Sequence, residues 1–180
     1  GGDGGALFSD TSSATSVDWR NNLYVENTAN DEGGGVYISG TSDQIFINNN
    51  FLSNRAITGG GFYSSTGNFE FTNNILAYTT SGDGIALGST AAGYSIDYNS
   101  IYDNSSLDWD SSLTTGTNNL SGDPEINDYS FDGDCTNDEF SLDVNSPLVD
   151  SGDPSILDPD GSTSDIGAFG GTRADATLFD

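Results

Sequence analysis

Carboxylates crowd one stretch near the end of the chain: Asp153, then Asp158-Pro159-Asp160-Gly161-Ser162-Thr163-Ser164-Asp165. Oxygen donors at i, i+2 and i+7 around a glycine turn can converge on a hard cation, with carbonyls and a hydroxyl completing the shell. Asp153, Asp158, Asp160, Ser162 and Asp165 are therefore a candidate Ca2+ site. The spacing is not that of an EF-hand, whose glycine is sixth and whose loop closes on a glutamate. The same residues also read as a loop of Asx turns held by backbone hydrogen bonds. Asp132, Asp134 and Asp138 form a second candidate metal cluster.

Catalysis has few reagents here. Lys and His are absent, so a lyase would have only Arg20, Arg55 and Arg173 to work with. A glycoside hydrolase needs only two carboxylates, roughly 5 Å or about 6.5–9.5 Å apart. Asp83, Asp97, Asp103, Asp108 and Asp110 could meet on one face to supply them. Trp19, Trp109 and the tyrosines at 24, 37, 63, 78, 94, 98 and 102 recur at similar positions, either as core or as an outward strip for stacking sugars. Asn104-Ser-Ser and Asn119-Leu-Ser match the glycosylation acceptor pattern. Cys135 is the single cysteine, so no disulfide forms within the chain.

The composition narrows the partners. The 180 residues carry 28 acidic and 3 basic side chains, a net charge of −25. Such a chain has almost nothing with which to neutralise phosphate, which excludes nucleic acid and anionic membrane surfaces as natural partners. A uronate-rich polymer would be repelled as well. The acidity suits a saline setting, where salt screens self-repulsion. No apolar run is long enough to span a bilayer, so no membrane insertion is expected. The chain opens at Gly1–Gly5 in coil-like sequence, which reads as a processed piece of a longer precursor.

These residues sit on a repeat. Glycine-led strands read DGGALFS, GGGVYIS, GGGFYSS and GDGIALG, opening at Asp3, Gly33, Gly59 and Gly82. Asparagine-led strands read RNNLYVEN, NNNFLSN, TNNILAY and YNSIYDN, opening at Arg20, Asn48, Thr72 and Tyr98. Between them, QIFIN, FEFT and YSID alternate apolar and polar residues at the strand period. Short strands at a period of 20 to 30 residues mean a solenoid, whose coils stack at about 4.8 Å. Ile45, Ile47, Phe69, Phe71 and Ile96 are the expected inward side chains. Glycine fits the sharp corners, and asparagine can stack there in hydrogen-bonded ladders.

The coils resemble the right-handed parallel β-helix repeats of secreted bacterial proteins, the pectin-lyase-like superfamily. NNLSGDPEIND at Asn118–Asp128 and FSLDVNSPLVDSGDPSILDPDGSTSDIGAFGG at Phe140–Gly171 resemble the closing segments of large bacterial β-helix proteins. The resemblance covers about 170 of the 180 residues, and only Tyr129–Glu139 is longer and more acidic than the usual connection. It implies an all-β, right-handed parallel β-helix of about four to six coils with an irregular, loop-rich C-terminal region. Residues 1–105 would form coils, 106–171 the final coils and a cap, and 172–180 a tail. The Gly-His-Gly and Arg-Ile-Lys motifs of polygalacturonase-like enzymes are missing. The expectation is a secreted, non-catalytic structural or adhesive solenoid of the bacterial surface, stabilised by Ca2+ and carrying glycan. It would be a homo-oligomer stacked head to tail into a filament, with Ala6, Leu7 and Phe8 meeting Leu178 and Phe179 of a neighbour. A carbohydrate-binding module and a fragment of a polysaccharide-degrading enzyme are the alternatives.

Overall fold

The computed structural model describes residues 2–12, 16–66, 68–88 and 93–174. Among them lie twelve short strands and no helix long and apolar enough to cross a membrane. The strands are β1 (Leu7–Thr11), β2 (Val17–Arg20), β3 (Leu23–Val25), β4 (Val36–Gly40), β5 (Gln44–Ile47), β6 (Asn50–Leu52), β7 (Phe62–Ser64), β8 (Phe69–Thr72), β9 (Ile75–Ala77), β10 (Ile85–Leu87), β11 (Tyr94–Asp97) and β12 (Ser100–Tyr102). Every third strand pairs in parallel, giving three four-stranded sheets ordered β1-β4-β7-β10, β2-β5-β8-β11 and β3-β6-β9-β12. The fold is thus an all-β parallel solenoid of about four turns, as the repeat predicts. Leu178 and Phe179 lie outside the described residues.

Alternation along each strand sends one set of side chains inward. The core stacks Val36, Phe62 and Ile85 from the first sheet, Phe46, Phe71 and Ile96 from the second, and Tyr24, Phe51, Leu76 and Ile101 from the third. Phe46, Phe51, Phe62 and Phe71 are fully buried, with ring centroids 5.1–6.3 Å apart in tilted and edge-on contacts. Each such ring contributes about 2–3 kcal/mol by burial. Phe69, Phe71 and Ile96 face inward as expected, but Ile45 and Ile47 do not. Phe69 and Phe71 pair in register with Gln44 and Phe46, so parity turns both isoleucines away from the inner stack, where Ile47 is nonetheless buried and Ile45 half-buried. Gln44 is tolerated inside because its amide oxygen takes the Trp19 indole N–H at 2.9 Å.

Two corners hold the coils. At the first, Asn21, Asn48, Asn73 and Tyr98 all have φ between 54° and 56°. At the second, Glu26, Ser53, Tyr78 and Asp103 lie between 49° and 62°. The residue after each member of the first row turns inward as a ladder, Asn22–Asn49–Asn74–Asn99, which Asn119 extends, with steps of 27, 25, 25 and 20 residues. The glycine strip permits close approach: a Cβ at Gly35 or Gly61 would sit 2.6 Å from a carbonyl oxygen of the next coil.

The C-terminal residues fall into two parts. Residues 107–120 make an irregular fifth turn, joined by the bridges Ile85–Trp109 and Ser100–Leu120. Residues beyond 120 then run back along the side of the solenoid, over the outer face of the third sheet. Leu148 and Ile166 bury Leu52, Ile75 and Ala77 there, in a second apolar cluster. The outward corner asparagines clamp this layer. Asn48 Nδ2 donates to the carbonyls of Asp165 (2.8 Å) and Gly167 (3.1 Å), and Asn21 Nδ2 to those of Ala168 and Gly170 (both 2.8 Å). Asn73 Oδ1 accepts the Asp153 N–H at 2.8 Å. The outer face of a strand so covered can be apolar, which is why β6 and β9 are buried on both sides.

Candidate functional site

The residues singled out for Ca2+ are neighbours, and each of the four aspartates accepts hydrogen bonds from the loop itself. Asp158 is buried and accepts the backbone N–H groups of Asp165 (3.0 Å) and Gly171. Asp153 accepts Ser155 N–H at 2.8 Å, and Asp160 accepts the N–H and hydroxyl of Ser162. Asp165 accepts Asp150 N–H at 2.8 Å, while burial and the nearby Asp158 push its carboxyl up to about 6. Burial raises Asp158 as well, whereas the Ser162 hydrogen bonds lower Asp160. In the second cluster Asp132 takes Asp134 N–H and the Asn137 amide, Asp134 takes Thr136, and Asp138 takes Ser130. Among the described residues no group of three Asp, Glu or Cys side chains is arranged to hold a metal ion. The Asx-turn reading describes this geometry. Cys135 lies exposed in the same loop.

The carboxylates considered for hydrolysis serve the fifth turn. Asp83 accepts Leu107 N–H, Asp97 accepts Asn118 N–H, Asp108 accepts Asn104, and Asp110 accepts Ser112 N–H. Asp103 is exposed at a corner. Both glycosylation acceptors are structural. Asn104 Nδ2 donates to Leu76 O and Asp108 Oδ1, and Asn119 Nδ2 to Ile96 O and Gly116 O. A sugar on either nitrogen would displace a hydrogen bond that shapes a corner. Arg20 pairs with Asp18 at 3.4 Å across an exposed strand.

The aromatic residues do not form one strip. Trp19, Tyr24 and Tyr94 stack inward on Phe46, Phe51 and Phe69. Burial pushes the Tyr24 hydroxyl up to about 12. Tyr78 and Tyr102 pack beneath the C-terminal layer. Tyr37 and Tyr63 do lie outward on the first sheet, in a column with Phe8. The Phe8–Tyr37 rings are 5.0 Å apart at 5°, and the Tyr37–Tyr63 rings 5.3 Å apart at 24°. Rings stacked this way give their faces to one another and Tyr63 is buried, so the column opens a ring face only at Phe8 and makes no extended platform for a sugar chain.

A cleft of about 520 Å³ opens in the C-terminal layer between residues 139–144 and 165–170, above Asn50 and Ile75. Asp165, Glu139 and Asp143 share its wall with Phe140 and Leu142. The polar group on its floor is occupied, since Asn50 Oδ1 accepts the Ala168 N–H at 2.9 Å.

The most distinctive surface is the N-terminal end of the solenoid. β1, β2 and β3 are edge strands of the three sheets, and among the described residues nothing pairs with their free sides. Leu7 and Trp19 lie partly buried over the core there, and Phe8, at 52 % exposure, shows the open face of its column. Leu7 and Phe8 lie in β1, and Ala6 immediately precedes it. The opposite end is closed by the fifth turn, where Trp109 and Leu113 cover the core. Sequence reasoning missed Asn22 and Asn27, the last rungs of two ladders. The signal was the five-residue spacing that recurs in Asn22/Asn27, Asn49/Asn54 and Asn99/Asn104. No family model, curated protein or solved structure matches the chain.

Proposed function

We propose that this chain is a secreted, non-catalytic structural or adhesive module with the coil architecture of the pectin-lyase-like superfamily, and that further β-coil, of the same polypeptide or of another, stacks on its N-terminal end. The observation that carries this reading is the asymmetry of the two ends. All three sheets leave an unpaired edge at one end, which is a template for another strand, while an irregular turn closes the other. Natural solenoids cover such ends. The acid-rich, lysine-free surface and the C-terminal motifs support an extracellular place. The closed end argues against a head-to-tail filament of identical subunits, because it offers no regular edge to the next copy. Self-stacked outward rings argue against the carbohydrate-binding alternative. Electron microscopy of native assemblies, with the chain marked by an antibody, tests the reading. Label at the ends or joints of longer rods is the expected result. Label found only on free single solenoids would overturn it.

A further inference from the structure

We infer that the N-terminal end is a directional socket for one parallel β-coil that carries asparagine at both corner positions, and that a second copy of this chain does not supply it. The inference rests on the assembly reading above and specifies its partner. The ladders have a polarity. In the inner one, the backbone N–H and Nδ2 of each asparagine donate to Oδ1 of the asparagine one coil further along. The distances are 3.0 and 2.9 Å for Asn22 to Asn49, 2.9 and 2.9 Å for Asn49 to Asn74, and 2.8 and 3.1 Å for Asn74 to Asn99. Asn99 donates to Asn119 at 3.0 and 3.1 Å. At the second corner, Asn27 donates to Asn54 Oδ1 at 2.9 and 3.0 Å. Every rung oxygen is therefore served from its N-terminal side. Asn22 Oδ1 and Asn27 Oδ1 have no donor among the described residues, although both side chains are half-buried.

The far end shows how a ladder stops. Asn104 donates both N–H groups to Asp108 Oδ1, a carboxylate that accepts and passes nothing on. Asn119 turns its amide back onto Gly116 O within its own turn. This end has no rung donor to offer. A second copy stacked head to tail would set Asp108 and an irregular turn against the open strands. A second copy stacked head to head would set acceptor oxygens against acceptor oxygens. The socket fits a coil whose two asparagines stand five residues apart, the spacing of Asn49 and Asn54, and whose Nδ2 groups reach Asn22 and Asn27.

The test adds such a coil. A copy of residues 33–58 is joined directly before Gly4, because Gly59 follows Thr58 at the same glycine corner in the native chain (φ 60° and 68°). A second fusion carries Asp at the two ladder positions of the added coil. Amide exchange at β1, β2 and β3 is compared with that of the unfused protein. The asparagine coil is expected to slow exchange about tenfold more than the Asp coil, the effect of one or two satisfied rungs. Asn22→Ala, made in both fusions, is expected to shrink that difference. Equal protection by the two coils overturns the asparagine inference and leaves the docking reading standing. No protection by either coil removes both. Sedimentation of the unfused protein is expected to show monomers up to millimolar concentration, and concentration-dependent polymers would overturn the exclusion of a second copy.

Discussion

At the scale of single residues, the charge on Asp165 and the amide of Asn74 are the most informative. Burial lifts the Asp165 carboxyl from its ordinary value of 3.8 to about 6, with Asp158, Asp150 and Asp160 adding repulsion. A carboxyl raised in the folded state binds its proton more tightly there than in the unfolded chain. Its contribution to stability is therefore present below pH 3.8 and is lost as pH rises through about 6. Asp165→Asn keeps an oxygen for the Asp150 N–H and removes the charge. The variant should match the parent near pH 3.5 and melt at progressively higher temperature than the parent from about pH 4 to 7, by thermal unfolding across that range. A variant that stays level with the parent up to pH 7 would contradict the buried-carboxylate account. Asn74 is fully buried and exchanges hydrogen bonds with Asn49, Asn99, Phe46 and Thr72. Asn74→Ala orphans several of these groups, at about 3–5 kcal/mol in chemical unfolding. Asn22→Ala, at the unfinished end, should cost only about 1 kcal/mol, since its oxygen serves no donor. Equal losses at the two sites would remove the polarity on which the socket rests.

At the scale of elements, the side layer is the part that turns a bare solenoid into a two-core molecule. Leu148 is fully buried between that layer and the third sheet. Leu148→Ala should destabilise by about 2–5 kcal/mol. Hydrogen exchange should place the loosening in β6, β9 and residues 146–167, with the aromatic core less affected. Uniform loosening of all three sheets would mean that the two cores are one cooperative unit. The same layer marks where sequence reasoning stopped. Coil number, strand positions and the inward phenylalanines were legible, because alternation and the glycine and asparagine corners recur with the solenoid period. The face of QIFIN was not, since it alternates equally well in either parity and only pairing with FEFT decides. Nor was the docking of the residues beyond 120 along the third sheet, which follows because β6 and β9 carry Leu52, Ile75 and Ala77 outward. In the sequence those residues look like ordinary core, and only the fold shows that they need a second cover. The doubled asparagines were visible, but their division into a clamp and a ladder depends on φ at the first of each pair.

At the scale of the whole molecule, a net charge of −25 acts on every coil at once. The described residues contain one salt bridge, Asp18–Arg20, between exposed groups, so pairing relieves almost none of the repulsion. Screening by dissolved ions must do so. The Debye length falls from about 30 Å at 0.01 M salt to about 3 Å at 1 M. Four coils at about 4.8 Å each span less than 20 Å, so at low salt every carboxylate is within screening distance of the others along the axis. Thermal stability should therefore climb steadily with NaCl over that range. CaCl2 should follow the same curve when ionic strength is matched, because among the described residues no three carboxylates are grouped to hold a metal ion and each of Asp153, Asp158, Asp160 and Asp165 has an oxygen engaged by a backbone N–H. The two salts can be compared by differential scanning calorimetry on one protein stock. Coincident curves mean that salt stabilises this solenoid only by screening the repulsion among its carboxylates. A separate rise in melting temperature that saturates at submillimolar Ca2+ would return the Asp153–Asp165 loop to the metal site suggested by its residues.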